Sequence, residues 1–288
     1  MADEADREQR GWRLLRGLPP ESDRRAVVVT LMVCIACSAA IATAVTFLGP
    51  LRDANRAAER EAQLRHMIAS VPGLEELVEP DGGIRIEARV VDLATGEPLP
   101  DVDPETFDAV AEAQDPERSI ALAPEDDVAG LGRRALRARI YLVSDREGLR
   151  LVLLPVEGQG YISRLRGYLA LDADGTTVHG LSFYEHAETP GLGAEIESPA
   201  WRAKWRGKQV YDASGAVGIA VARGRVDPTD PHASQLVDGI TGATRTTEGV
   251  TRLLRFWLGP QGFGPTLARL AGDREARPAP EAGKEDGA

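Results

Sequence analysis

The sequence predicts an α+β protein: a single N-terminal transmembrane helix, then one mixed α+β domain with antiparallel strands. Three observations predict it. A run of 23 residues, 26–48, carries no charge. From about residue 80, short stretches alternate apolar and polar residues, with turn formers between them. An apolar helical pattern then returns near residue 250, directly after the glycine-rich stretch Asp238-Gly239-Ile240-Thr241-Gly242-Ala243-Thr244-Arg245-Thr246.

The elements follow in order. Residues 1–25 read as a cytoplasmic N-terminal tail. Arg7, Arg10, Arg13, Arg16, Arg24 and Arg25 precede the apolar run, against Arg52, Arg56, Arg60 and Arg65 after it, and the excess favours an inside N-terminus. Residues 26–48 are long enough to cross a bilayer core with some tilt. Ala42-Thr43-Ala44 imitates a signal-peptide cleavage site, but signal-peptide apolar cores run to only about 7–15 residues. Residues 49–79 connect the span to the domain. Within them 51–71 read as a polar helix with Leu64, Met67, Ile68 and Val71 along one edge, ended by Pro72-Gly73.

The domain occupies 80–271. Strand patterns lie at 84–90, 140–143, 149–155, 167–171, 178–184 and 218–221. Residues 104–114 and 199–206 read as short helices. Asp172-Ala173-Asp174-Gly175 is a turn between two strands, hence a hairpin. Residues 272–288, GDREARPAPEAGKEDGA, read as a disordered tail.

Composition excludes several functions. The 288-residue chain carries a net charge of −11, which argues against nucleic-acid binding. Its two cysteines, Cys34 and Cys37, lie three apart inside the apolar run, so there is no disulfide framework and no thiol nucleophile in the domain. The histidines, His66, His179, His186 and His232, are scattered, and no metal site is expected. No GxGxxG follows a strand and no GxxxxGK[ST] occurs, so NADH is not expected to bind this chain. A span without ionisable residues is no ion path.

The 238–246 stretch can do chemistry. Asp238 and Gly239 favour a turn, and Gly242 and Ala243 carry almost no side chain, so an outside enzyme could reach the Thr244 hydroxyl. Val250, Leu253, Leu254 and Trp257 fall at i, i+3, i+4 and i+7, one buried helix face. Thr244 therefore sits just ahead of a helix or in its first turn, where unpaired amides and the positive dipole end suit a phosphate. Arg245 can add a contact. The plainer alternative is a threonine-rich helix cap, and by the same measure Thr189-Pro190-Gly191-Leu192 is a turn after a strand.

Asp238-Gly239-Ile240-Thr241-Gly242-Ala243-Thr244 resembles the D-x-x-[S/T]-G-A-T flavinylation motif of FMN-binding domains. Phe183-Tyr184-Glu185-His186-Ala187-Glu188-Thr189-Pro190-Gly191-Leu192-Gly193-Ala194-Glu195 is similar to that family's FYEH-x-ETPGLG-x-E block. Trp201, Trp205 and Gly207-Lys208 resemble its W-x-x-x-W-x-G-K continuation, and Phe256-Trp257-Leu258-Gly259-Pro260-Gln261-Gly262-Phe263-Gly264-Pro265 its closing segment. Pro155-Val156-Glu157-Gly158-Gln159-Gly160 and Gly167-Tyr168-Leu169-Ala170-Leu171 match earlier ones. Together they resemble the C-subunit family of Na⁺-translocating NADH:quinone oxidoreductases. The G subunit of the Rnf-type complex is the related alternative, and a flavin-free membrane-anchored periplasmic binding or scaffold domain is a third.

The resemblance implies FMN, covalently held as a phosphoester on Thr244 and installed from FAD by a separate flavin transferase. It implies further flavin contacts from Asp238, Thr241, Gly242, Ala243, Arg245, Glu188, Thr189, Gly191, Leu192 and Gly193, with no catalytic residue and no metal. The chain would be membrane-embedded in a bacterial inner membrane with its flavin domain on the periplasmic side. It would work among other subunits of the redox complex, relaying electrons from NADH oxidation toward ubiquinone, coupled to sodium export. Trp201, Trp205 and His186 read as structural. Tyr161-Ile162-Ser163-Arg164-Leu165-Arg166 departs from the family's aromatic-rich L-W-S-x-M-Y segment.

Overall fold

The computed structural model describes Val27, residues 29–39 and residues 85–275. The chain divides into two units, 1–64 and 65–288. In the first, residues 29–39 are helical, and Cys34 and Cys37 are exposed free thiols. Among the described residues no helix is long and apolar enough to cross a membrane. The rest of the expected span 26–48, the tail 1–25 and the connector 49–79 lie outside the described residues.

The second unit is built on a five-stranded antiparallel sheet. Its strands are β1 (Arg85–Asp92), β4 (Arg137–Asp145), β5 (Gly148–Gln159), β6 (Arg164–Asp172) and β7 (Val178–Glu185), in the order β1-β4-β5-β6-β7. Each expected strand of this sheet forms. The hairpin between β6 and β7 turns at Asp172–Gly175, where Gly175 has a φ of +69° and Asp174 accepts from the amides of Thr176 and Thr177.

The middle strands depart from simple alternation. In β5, Leu151, Val152, Leu153 and Leu154 are all buried. A strand covered on both faces has no polar side to present, so its sequence reads as a continuous apolar run. One face, with Ile140, Leu142, Val152, Leu154, Leu169 and Leu181, joins the main core. On the other, Tyr168 touches Tyr141 at 6.2 Å between ring centroids and Tyr184 at 5.2 Å.

Short elements fill the gaps. β2 (Ser119–Ala121) pairs with β3 (Arg133–Ala135), and β8 (Ala220–Val221) runs parallel to β9 (Leu236–Val237). Of the expected strand 218–221, only its last two residues pair. β2, β3 and β9 are too short to carry a period, and pairing alone makes them strands.

The helix expected over 104–114 is confined to α1 (Ala109–Gln114). Asp108 sets its start, because its carboxylate accepts from the amides of Val110 and Ala111. The helix expected over 199–206 is α2 (Pro199–Arg202) followed by a 3-10 turn, Ala203–Trp205. Helix α3 (Thr244–Leu258) lies on the sheet and buries Val250, Leu253, Leu254 and Trp257, the face its periodicity predicts. Helix α4 (Gly264–Glu275) has no counterpart among the expected elements, and it carries helical structure past residue 271, the expected end of the domain.

Contact between α3 and the end of β5 is close because both segments carry glycine. A Cβ on Gly249 would sit 2.7 Å from the Gln159 carbonyl oxygen and 3.0 Å from the Gly160 Cα. This packing sets the start of α3 beside the segment that follows β5.

Candidate functional site

Thr244 is the first residue of α3, and its side chain is exposed. The residue before it, Ala243, has no side chain with which to cap the helix. The Thr244 hydroxyl makes no hydrogen bond among the described residues. Thus the threonine-rich stretch is not capped by Thr244. The amides of the first turn have no intrahelical acceptors and meet no side-chain cap. An acceptor hydroxyl, orphan donors and the positive helix end coincide, and this suits a bound phosphoryl group.

The turn before Thr244 is tightly specified. Gly242 has a φ of +79°, a region that other residues enter only at a cost. Ala243 is buried, and its amide bonds the Ile240 carbonyl at 3.1 Å. Thr241 and Arg245 are exposed. Asp238 holds the turn in place. Its Oδ1 accepts from the Val226 amide at 2.8 Å and its Oδ2 from Lys204 Nζ at 2.7 Å. Its own carbonyl accepts from Trp201 Nε1 at 2.9 Å. The Lys204 ammonium, aided by the Val226 amide, holds the Asp238 carboxyl below the usual carboxylate range.

A second loop, residues 188–193, meets this turn. A Cβ on Gly242 would come within 2.8 Å of Leu192 Cδ2, so the two loops touch. Thr189, Gly191 and Leu192 are exposed, whereas Glu188 and Gly193 are buried. Glu188 turns inward. It accepts from the Thr246 hydroxyl at 2.6 Å and from the amides of Ile162 at 2.9 Å and Ser163 at 3.2 Å. Burial works against its charged form, yet the Thr246 hydroxyl and the amides of Ile162, Ser163 and Tyr161 outweigh it and hold the carboxyl below its ordinary value.

The third segment is the one whose sequence departs from the family pattern. Tyr161 and Ile162 are 53% and 55% exposed beside the site, and the Arg245 guanidinium lies 5.1 Å from the Tyr161 ring centre. Sequence reasoning leaves these two and Thr246 out of the site. A local signal for Thr246 does exist: it stands four residues before Val250 and seven before Leu253, on the buried face of α3. A hydroxyl there must find a partner.

The expected structural residues behave as such. Trp201 and Trp205 are buried and pack edge to face at 5.3 Å. The His186 side chain is largely buried, with Nε2 lying 2.9 Å from Glu197 Oε1. No cluster of three or more potential metal ligands exists among the described residues.

An FMN group fits these residues. Thr244 offers an unengaged oxygen, the first turn of α3 and Arg245 offer donors and charge, and Leu192, Tyr161 and Ile162 offer exposed apolar surface to a planar ring.

Known proteins bear on this arrangement. A model of the FMN-binding domain family matches residues 160–259. The chain is 40% identical over 257 residues to the C subunit of the Na⁺-translocating NADH-quinone reductase of Yersinia pestis, covering 87% of this chain and 94% of that protein. It is also 40% identical to the C subunit from Pseudomonas aeruginosa, covering 87% of this chain and 97% of that protein. Among solved structures, NqrC of Shewanella oneidensis superposes with a TM-score of 0.60 at 35% identity, over 65% of this chain and 84% of that one.

Proposed function

The chain belongs to the C-subunit family of the Na⁺-translocating NADH-quinone reductases, and from that premise we propose that it carries FMN as a phosphoester on Thr244 and relays electrons within such a complex. The family membership favours this reading over the Rnf-type alternative. The observation that carries the proposal is the unengaged, exposed Thr244 hydroxyl at the uncapped start of α3, framed by the 188–193 loop.

A flavin transferase would make the ester. The Thr244 oxygen would attack the FMN phosphoryl group of FAD, its proton would leave, and AMP would depart. Thr244 is accessible for this because Gly242 and Ala243 leave its approach bare. Once formed, the phosphodiester would lie against the first-turn amides, with Arg245 supplying positive charge. Leu192, Tyr161 and Ile162 would shield one region of the ring from water, while Thr189 and the backbone near Gly191 would offer polar contacts to its edge. FMN, when bound, supplies redox chemistry that exchanges electrons singly or in pairs. The protein's part is to hold it in place.

The apolar run 26–48 would anchor the chain in the bacterial inner membrane with the domain on the periplasmic side. Oxidation of NADH, reduction of ubiquinone and export of sodium would fall to the other subunits.

The test is direct. Coexpression with a flavin transferase should give a protein band that fluoresces after denaturation, and its intact mass should rise by one FMN phosphoryl unit. Thr244→Val should abolish both. Fluorescence surviving that substitution would exclude Thr244 as the main attachment residue, and a dark wild-type band would favour a flavin-free scaffold.

A further inference from the structure

Glu188 is 4% exposed and makes no ion pair among the described residues. A buried carboxylate without a cation is stable only where donors converge on it. Here they come from two directions. Oε1 accepts from the amides of Ile162 and Ser163 at 2.9 and 3.2 Å, and Oε2 accepts from the Thr246 hydroxyl at 2.6 Å. One side chain thus joins the segment after β5, the 188–193 loop and the first turn of α3.

Two glycines make room for it. A Cβ on Gly160 would approach Glu188 Oε1 to 2.6 Å, and one on Gly193 would approach Oε2 to 2.9 Å and the Thr246 oxygen to 2.6 Å. Both walls of the carboxylate are therefore bare backbone. Oε1 meets only N–H donors, and with the Thr246 hydroxyl donating to Oε2 an ionised carboxylate accepts on both sides at once. An amide that keeps its oxygen on the Ile162 and Ser163 amides turns its NH₂ to the Thr246 hydroxyl, which reverses that bond and removes the charge that strengthens all three.

We infer that Glu188 is a positioning residue: its carboxylate clasps these three segments together, and so sets both the presentation of Thr244 and the electrostatic surroundings of the flavin. The inference rests on the assignment of FMN to Thr244. Thr246, which the clasp grips, lies two residues along the helix from the attachment oxygen. A buried charge is poorly screened, so the negative charge of Glu188 would oppose added electron density on a flavin held at the start of the same helix.

Full-length wild type, Glu188→Gln and Thr246→Val would each be coexpressed with a flavin transferase. Three quantities are measured: covalent flavin per chain, hydrogen exchange at the Ile162 and Ser163 amides, and the midpoint potential of the loaded protein. Glu188→Gln should load less flavin, exchange those amides roughly tenfold faster, and show a more positive potential. A loosened fold that admits water also raises the potential, so the charge is read as the rise in Glu188→Gln beyond that in Thr246→Val, which keeps the carboxylate. Thr246→Val removes one donor, keeps the charge and spares the backbone contacts. It should speed exchange and lower loading by less, and it decides the clasp should Glu188→Gln fail to fold. Wild-type exchange and loading in both variants would overturn the inference while leaving Thr244 as the attachment residue. A wild type without covalent flavin would overturn the attachment itself, and this inference with it.

Discussion

Thr246 and Glu188 bond each other from inside the protein, and each is almost fully buried. Thr246→Val keeps the shape and deletes the hydroxyl, leaving one carboxylate oxygen short of a donor. The expected loss is about 1–3 kcal/mol, read as a lower midpoint in denaturant at unchanged slope, and Thr246→Ser should restore most of it. The pH dependence follows from the Glu188 carboxyl lying below its ordinary value in the folded state. Its contribution is fully present above the unfolded pKa, about 4.3, and is lost as pH falls through the lower folded value. Thr246→Val should therefore weaken stability more at neutral pH than at the acid end, and equal losses at both would contradict this. Among single residues, the place of Thr244 at the start of α3 is legible because the pattern around it is local. The clasp is not, because Glu188 and Thr246 stand 58 positions apart and no local pattern relates them. The resemblance implies a flavin contact from Asp238, and its bonds among the described residues tie the turn to Val226, Lys204 and Trp201.

Among the elements, α3 and β5 show how helix preference and packing compete. Gly249 lies inside α3, and replacing such a glycine with alanine ordinarily gains about 1 kcal/mol of helix propensity. Here the new Cβ would meet backbone, the Gln159 carbonyl oxygen at 2.7 Å and the Gly160 Cα at 3.0 Å. Backbone cannot swing aside as a side chain can, and overpacking costs about 1–3 kcal/mol. Gly249→Ala should therefore destabilise. It should also lower flavin loading, because the helix start moves with the helix, and a rise in melting temperature would refute the argument. The periodicity of α3 and the turn at Asp172–Gly175 can be read directly, since both rest on neighbours in sequence. The pairing of β8 with β9 cannot: two residues carry no period, and it depends on where α3 and the 210–220 segment come to rest.

At the scale of the whole molecule, the closing segment seals the core. Phe263 is fully buried and stacks on Trp257 at 5.2 Å, while Trp257 Nε1 donates to the Glu157 carbonyl at 2.7 Å. The loop between α3 and α4 is thereby tied to β5. Phe263→Ala should cost about 3–5 kcal/mol, visible as a large drop in melting temperature. The fraction that still folds should carry flavin on Thr244, because Phe263 lies at the opposite end of α3 from this proposed attachment residue. Local sequence suffices for the α+β class, the hairpin, the buried face of α3 and the position of Thr244 at its start, because each depends on residues within a few turns or one strand of each other. It does not suffice to set Glu188 against Thr246, to lay Arg245 on the Tyr161 ring, or to bury the central strands on both faces. Those contacts join segments far apart in the chain, and the packing of the sheet against its helix, which no local propensity encodes, brings them together.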